Sequence, residues 1–329
     1  MVKLPQITTS IVTVFSIKIV SATTVGYFDS ESCVDPSGVA ECYENAAVEW
    51  SSCVNVTCAG QNIDCINVCS CVQTQKQLDC AGQHCWNQVY SCEYQQTAGD
   101  IATNCLNPHL DQIPFYPPPD NAPGSCSCNL GKLLTSLYRT SNEIETCGAN
   151  GEDIVGQLTS NDEIQIFARA CTCCSESAML SAFWAVCPNT DPSLLGINEI
   201  YDSLIANDKD WATCATDMDA FPCYSKLGYT PPGGNSSGTF YEPNDFPQNG
   251  TATTSNIAGS ITTPVSGAVY TWTYNGVERP ITVASADAKP TNTAGANSSG
   301  SEDKKNNAPS TVPGLLFISY GLVLLVDKI

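Results

Sequence analysis

Histidine is nearly missing from this chain. His84 and His109 are the only two among 329 residues, so any Ser/His/Asp or Cys/His device has to use one of them. His84 adjoins Cys85, but a cysteine in this composition is expected to be bridged rather than nucleophilic. Basic side chains are scarce too: 13 Lys and Arg stand against 33 Asp and Glu, a formal charge of −20. That balance repels nucleic acid and anionic lipid surfaces, and no nucleic-acid partner is expected. The two longest apolar runs, one at each end, both fall short of the roughly 20 residues a spanning helix needs.

What the chain has is cysteine. The twenty are Cys33, Cys42, Cys53, Cys58, Cys65, Cys69, Cys71, Cys80, Cys85, Cys92, Cys105, Cys126, Cys128, Cys147, Cys171, Cys173, Cys174, Cys187, Cys214 and Cys223. An even count in an acidic, histidine-poor chain points to disulfides before metal sites, because structural zinc sites usually use His or tight Cys-x-x-Cys pairs. A reducing cytosol would not keep them paired, so an extracellular location is expected.

Both ends read as addresses. Residues 1–22 carry Lys3, an apolar stretch from Ile7 to Val20 and a small-residue exit at Val20-Ser21-Ala22, the pattern of a signal peptide cleaved after Ala22. At the other end, a short apolar tail from Val312 to Val326 follows a polar spacer and the small cluster Asn297-Ser298-Ser299-Gly300. Small attachment residues, spacer and short tail are what the GPI transamidase reads, so Ser298 is the expected attachment site, with Asn297 and Ser299 as alternatives; a retained membrane segment or no anchor are the other readings of this tail. Residues 299–329 are then the propeptide. Removing both ends leaves residues 23–298 with 8 basic and 30 acidic side chains, a charge near −22. Such a surface stays soluble and self-repelling.

Between the ends lie a first cysteine-rich helical region (23–105), a proline-rich connector (106–125), a second cysteine-rich helical region (126–228) and a Ser/Thr/Pro/Gly-rich stalk (229–298). Eleven cysteines precede the connector and nine follow it, so full pairing requires at least one bridge between the halves. The body is therefore one stapled unit or two abutting subdomains. Pro114, Pro117, Pro118, Pro119 and Pro123 make the connector extended. From Thr230 to Thr311 there are 23 Ser and Thr, a composition expected to stay disordered and O-glycosylated. Its one ordered candidate is a hairpin over 268–283, where β-forming residues flank Asn275-Gly276. Sequons stand at Asn55, Asn235, Asn249 and Asn297.

The periodicity is helical. Leu78, Gly82, Cys85, Val89 and Cys92 step by 4, 3, 4, 3, predicting a helix that includes Gln73 to Gln88. Ser160-Asn161-Asp162-Glu163 has capping-box spacing before a 3–4 stripe running from Ile164 to Ala185. Val39–Cys53, Asn129–Thr140 and Ser193–Ala206 read the same way. Cys69, Cys71 and Cys85 recur at an offset of 102 as Cys171, Cys173 and Cys187, a faint internal repeat. The expected fold class is mostly α and disulfide-rich, followed by the stalk.

The residues that carry chemistry elsewhere are isolated here. Gly234-Asn235-Ser236-Ser237-Gly238 matches G-x-S-x-G but lacks the strand and helix of a nucleophile elbow. Asp208, Asp210, Asp217 and Asp219 bracket Cys214 without the glycine and terminal glutamate of a calcium loop. No catalytic residue, cofactor or metal site is therefore expected.

The layout of signal peptide, cysteine-rich body, Ser/Thr-rich stalk and GPI-type tail resembles that of fungal cell-wall and plasma-membrane mannoproteins. Within it, Cys65-x3-Cys69-x-Cys71 resembles part of the eight-cysteine CFEM haem-binding unit. That family places an axial Asp three residues before its C-x-C, and Ile66 stands there in this chain. The resemblance implies a non-enzymatic, GPI-anchored surface glycoprotein acting in wall structure, adhesion or environmental interaction. Its partners would be cell-wall polysaccharide or surface proteins, with the membrane reached through a GPI lipid. Two alternatives stay open: a surface carrier of haem, sterol or metal, and a wall-polymer hydrolase.

Overall fold

The computed structural model describes residues 28, 30–59, 63–205, 211–234, 238–261, 264 and 266–286, all inside one compact unit, Met1–Ala288. The signal peptide 1–22, the attachment cluster Asn297, Ser298 and Ser299, and the propeptide 299–329 lie outside the described residues, as do Asn235, Asp208 and Asp210.

The body is mostly helical: α1 (Pro36–Ser52), α2 (Ile63–His84), α3 (Cys92–Asn104), α4 (Leu130–Thr146), α5 (Gly151–Val155), α6 (Asn161–Val186), α7 (Ile197–Ile205) and α8 (Cys214–Ala220). A two-stranded antiparallel hairpin, β1 (Val269–Tyr274) and β2 (Val277–Thr282), follows. The main helices start where side chains satisfy their first amides. Asp35 accepts from Gly38 N ahead of Pro36, Asn129 accepts from Lys132 N, and Ser160 with Glu163 forms the expected capping box.

All twenty cysteines are paired, and the pairing exposes a duplication. Cys33–Cys85, Cys53–Cys69 and Cys71–Cys105 in the first half correspond in order and direction to Cys128–Cys187, Cys147–Cys171 and Cys173–Cys214 in the second. In each half a cysteine precedes a capped helix of 17 residues that ends at the next matched cysteine, Cys53 or Cys147. A long helix then carries C-x-C and stops one residue before Cys85 or Cys187. The faint repeat of three cysteines is thus one helical module used twice. Cys42–Cys80 staples α1 to α2 only in the first copy; the aligned positions in the second are Ser136 and Ala182, both buried.

The bridge demanded by the odd counts is Cys92–Cys126, which ties α3 to the start of the second half. Around it lie two clusters. One gathers α4, α6 and α8 about Leu133, Leu180, Phe183 and Tyr229; the other gathers α2 and α3 with the hairpin about Leu78, Tyr94, Ile101, Trp272 and Tyr274. From Ala170 to Phe183 nearly every residue of α6 is buried, so this helix is enclosed on all sides rather than along one stripe. Ala168, expected on the buried stripe, is exposed.

Besides α4 and α8, what encloses α6 is the segment expected to be a stalk. Tyr229 donates its hydroxyl to Cys171 O at 2.9 Å, Ser177 Oγ donates to Tyr241 O at 2.7 Å, and Tyr241 N donates to Ser181 Oγ at 2.9 Å. Buried hydroxyls on α6 need partners, and this segment's backbone supplies them. Further on, Ala252 bonds to Asn189 and Asp191, and Ser255 and Ile257 bond to Ser127 and Ser125. A disordered stalk beginning at 229 is therefore corrected: the chain packs on the body as far as residue 286, apart from the few positions not described.

Three further expectations shift. The 106–125 connector is non-helical apart from a turn at Leu110–Gln112, but it does not run free, since Leu110, Ile113, Tyr116 and Ala122 are buried. The helix expected to include Gln73 to Gln88 ends at His84, and a separate 3-10 turn covers Trp86–Gln88. The helix expected over Ser193–Ala206 is divided at Gly196, whose φ of +86° closes the turn Pro192–Leu195 before α7 starts.

Candidate functional site

A groove of about 410 Å³ lies between α1, α2 and β2. Gly38, Glu41, Asn45 and Glu49 line it from α1, Lys76, Asp79 and His84 from α2, and Arg279 from β2. Its floor carries the Cys42–Cys80 disulfide.

The ends of α1 and α2 meet at one side. Asp35, which caps α1 through Oδ1, turns Oδ2 to His84 Nδ1 at 2.8 Å, and its backbone N donates to His84 O at 3.0 Å. Gly38 makes room for this pair: a Cβ there would lie 2.1 Å from Asp35 Oδ2 and 2.3 Å from His84 Nδ1. Burial pulls the Asp35 carboxyl upward, but the Gly38 N–H and the His84 ring together outweigh that and hold it below its ordinary value.

The opposite side is closed by the hairpin. Asp79 Oδ1 accepts from Trp272 Nε1 at 2.8 Å and from Arg279 Nε at 3.2 Å, while Oδ2 accepts from Arg279 Nη2. Arg279 also lies over the Trp272 ring, 5.5 Å from its centroid. Lys76 pairs with Glu49 across the groove mouth. Lys76 and Arg279 thus each have an acidic partner, and Glu41 and Asn45 stand exposed at the rim.

The arrangement bounds the chemistry. An Asp-oriented histidine supplies two members of a nucleophilic device, yet no lining residue is a serine, threonine or free thiol. The ring nitrogen and carboxylates could meet a small polar ligand or a cation, while the groove wall as a whole is more apolar than polar. His109 is remote in role: its N–H donates to the Tyr274 hydroxyl at 3.4 Å, and its ring packs edge-on against that tyrosine.

The remaining sequence candidates separate. Asp217 is buried, and each of its oxygens accepts from Arg169, at 2.8 and 3.0 Å. Asp219 instead borders a smaller hollow with Met218, Tyr224 and Phe240. Asn55 and Asn249 are exposed, as glycan acceptors require. Sequence reasoning missed the groove because Asp79 and Arg279 are 200 positions apart. The one available signal was that Asp35 precedes Pro36 as a helix cap. No protein-family model, curated protein or solved structure matches the chain.

Proposed function

We propose that the protein is an extracellular, GPI-anchored surface glycoprotein whose disulfide-built body acts by contact, in wall structure, adhesion or environmental interaction, rather than by catalysis. The observation that carries this reading is the cystine framework: ten disulfides and no free cysteine require an oxidising compartment for assembly. The strongly acidic surface and the exposed sequons support it. Because the chain packs on the body to residue 286, the stalk shrinks to residues 287–298, at most about 40 Å of contour. The body then works close to the membrane face of the wall.

Treating intact cells with phosphatidylinositol-specific phospholipase C should release a protein that begins at Thr23 and lacks residues 299–329. Attachment that survives the enzyme, or mature peptides from residues 312–329, refutes the anchor.

The groove favours a second reading, a small-ligand carrier. Its lining by Glu41, Glu49, Lys76, Asp79, His84 and Arg279 offers carboxylates and a ring nitrogen to a cation or small polar molecule. Calorimetric titration with divalent cations should then give binding that His84→Gln weakens. Equal heats from the two proteins count against this reading.

A further inference from the structure

Two cystines beside the α1–α2 turn touch each other. Cys53–Cys69 and Cys58–Cys65 are separate disulfides, yet Sγ of Cys58 lies 3.4 Å from Sγ of Cys69. The sulfurs of Cys53, Cys58 and Cys69 all lie within 4.8 Å of one another. The residues in contact are the buried members of their pairs, 7% and 2% exposed, whereas Cys53 and Cys65 are only partly buried. Val56, Ile63 and Val68, on the same short stretch of chain, are themselves exposed, at 77%, 54% and 54%.

We propose that this pair is a thiol-exchange site for an external dithiol, in which attack on one cystine passes to the other through the Cys58 to Cys69 contact. The dithiol's thiolate attacks Cys65 Sγ; a mixed disulfide forms and Cys58 leaves as a thiolate. Cys58 then attacks Cys69 Sγ, forming Cys58–Cys69 and expelling Cys53 as a thiolate. The dithiol's second thiolate attacks its own sulfur in the mixed disulfide and releases Cys65. Two electrons move from the dithiol, which becomes a disulfide, to the protein, which keeps Cys58–Cys69 and gains two thiols at its accessible positions. A monothiol would instead be expelled by Cys53, leaving Cys53–Cys65 and Cys58–Cys69 with no net reduction. All four cysteines lie between positions 53 and 69, so the other eight disulfides still hold the fold.

The test uses the full folded chain with limiting dithiothreitol, quenched by iodoacetamide and mapped without reduction. Cys53 and Cys65 should be alkylated first, together with a new Cys58–Cys69 linkage and eight intact original pairs. Alkylation of Cys58 with Cys65, or of Cys53 with Cys69, overturns the proposal. So does reduction spread over all ten disulfides, or none short of unfolding. Cys53→Ser gives a second readout without added reductant: the thiol left on Cys69 should capture Cys58, and alkylation should fall on Cys65. Label on Cys69 with Cys58–Cys65 retained would again overturn it.

Discussion

Trp272 and Arg279 face each other across the hairpin, and both donate to the single carboxylate of Asp79 on α2. One acidic side chain on the first module therefore fixes the hairpin, the last element among the described residues, and with it one wall of the groove. Asp79→Ala leaves a guanidinium and an indole N–H without their acceptor. The expected cost is about 2–3 kcal/mol, the range for hydrogen bonds to charged groups. Amide hydrogen exchange should accelerate over residues 269–283 and stay unchanged in α4 and α6. Uniform acceleration would mean that Asp79 supports the whole body instead.

Gly82 faces the same hairpin. A Cβ at this position would stand 2.1 Å from the Tyr270 hydroxyl, and the Tyr270 ring is held edge-on to Phe115 at 5.3 Å. Gly82→Ala should therefore lower stability by about 1–3 kcal/mol by overpacking, against a gain of about 1 kcal/mol in helix propensity. A melting temperature above that of the parent protein would show that Tyr270 swings aside freely.

The Asp35–His84 pair makes stability depend on acid. Because the folded carboxyl sits below its ordinary value of 3.8, its contribution is complete above that value and is lost as pH falls through the lower folded value. Denaturant midpoints should thus fall between pH 4 and the acid limit, and Asp35→Asn should flatten that part of the profile. The same substitution keeps a helix cap, so its neutral-pH cost should stay near 1 kcal/mol. An unchanged acid limb would assign the pH dependence to other carboxylates.

How much of this was legible follows from distance along the chain. Ser160 and Glu163 are neighbours, so the start of α6 could be read directly, and Asn275-Gly276 announced its turn, where φ is +50° and +77°. Odd cysteine counts required a bridge between halves, but arithmetic cannot choose Cys92 over Cys105. The duplication was audible only as three cysteines, because loops of different length separate the matched pairs: Cys53–Cys69 spans 16 residues and Cys147–Cys171 spans 24. Composition misled where Ser and Thr serve as structure. Ser177 and Ser181 on α6 bind the backbone at Tyr241, and Phe246 stacks on Trp184 with centroids 5.0 Å apart, so a Ser/Thr-rich segment is held by a few hydrogen bonds and aromatic contacts that no local pattern reveals. Asp79 looks like any solvated helix acid until Trp272 and Arg279 arrive.

The bridge between the modules yields a separate expectation. Cys92–Cys126 closes a loop with a sequence separation of 34, worth about 3–4 kcal/mol in the chain-entropy model. Replacing both cysteines by alanine should cost that much. Cleavage inside 106–125 should then yield two covalently separate fragments under non-reducing conditions, whereas the parent protein stays one species. Fragments that separate covalently in the parent protein would contradict this pairing.

The last expectation concerns where the body ends. Residues 229–261 cover α4 and α6, with Gly233 N donating to Ser136 Oγ at 3.1 Å, and residues 266–286 carry the hairpin with its docking bonds. Trp86 Nε1 donates to Ala284 O at 2.9 Å, and Ala284 N donates to Gln83 O at 2.8 Å, so backbone contact with α2 persists almost to residue 286. Deleting 287–296 should leave the thermal midpoint and disulfide map of the body unchanged, because it removes none of these contacts. Deleting 264–286 should expose Trp86, Leu78 and the Tyr94 cluster, and the uncovered apolar surface should bind a hydrophobic dye. Deleting 231–296 should go further and uncover the buried serines of α6, which exchange their protein partners for water at about 0.5–1.5 kcal/mol each. A body that keeps its midpoint after losing 231–296 would restore the segment to the role of spacer.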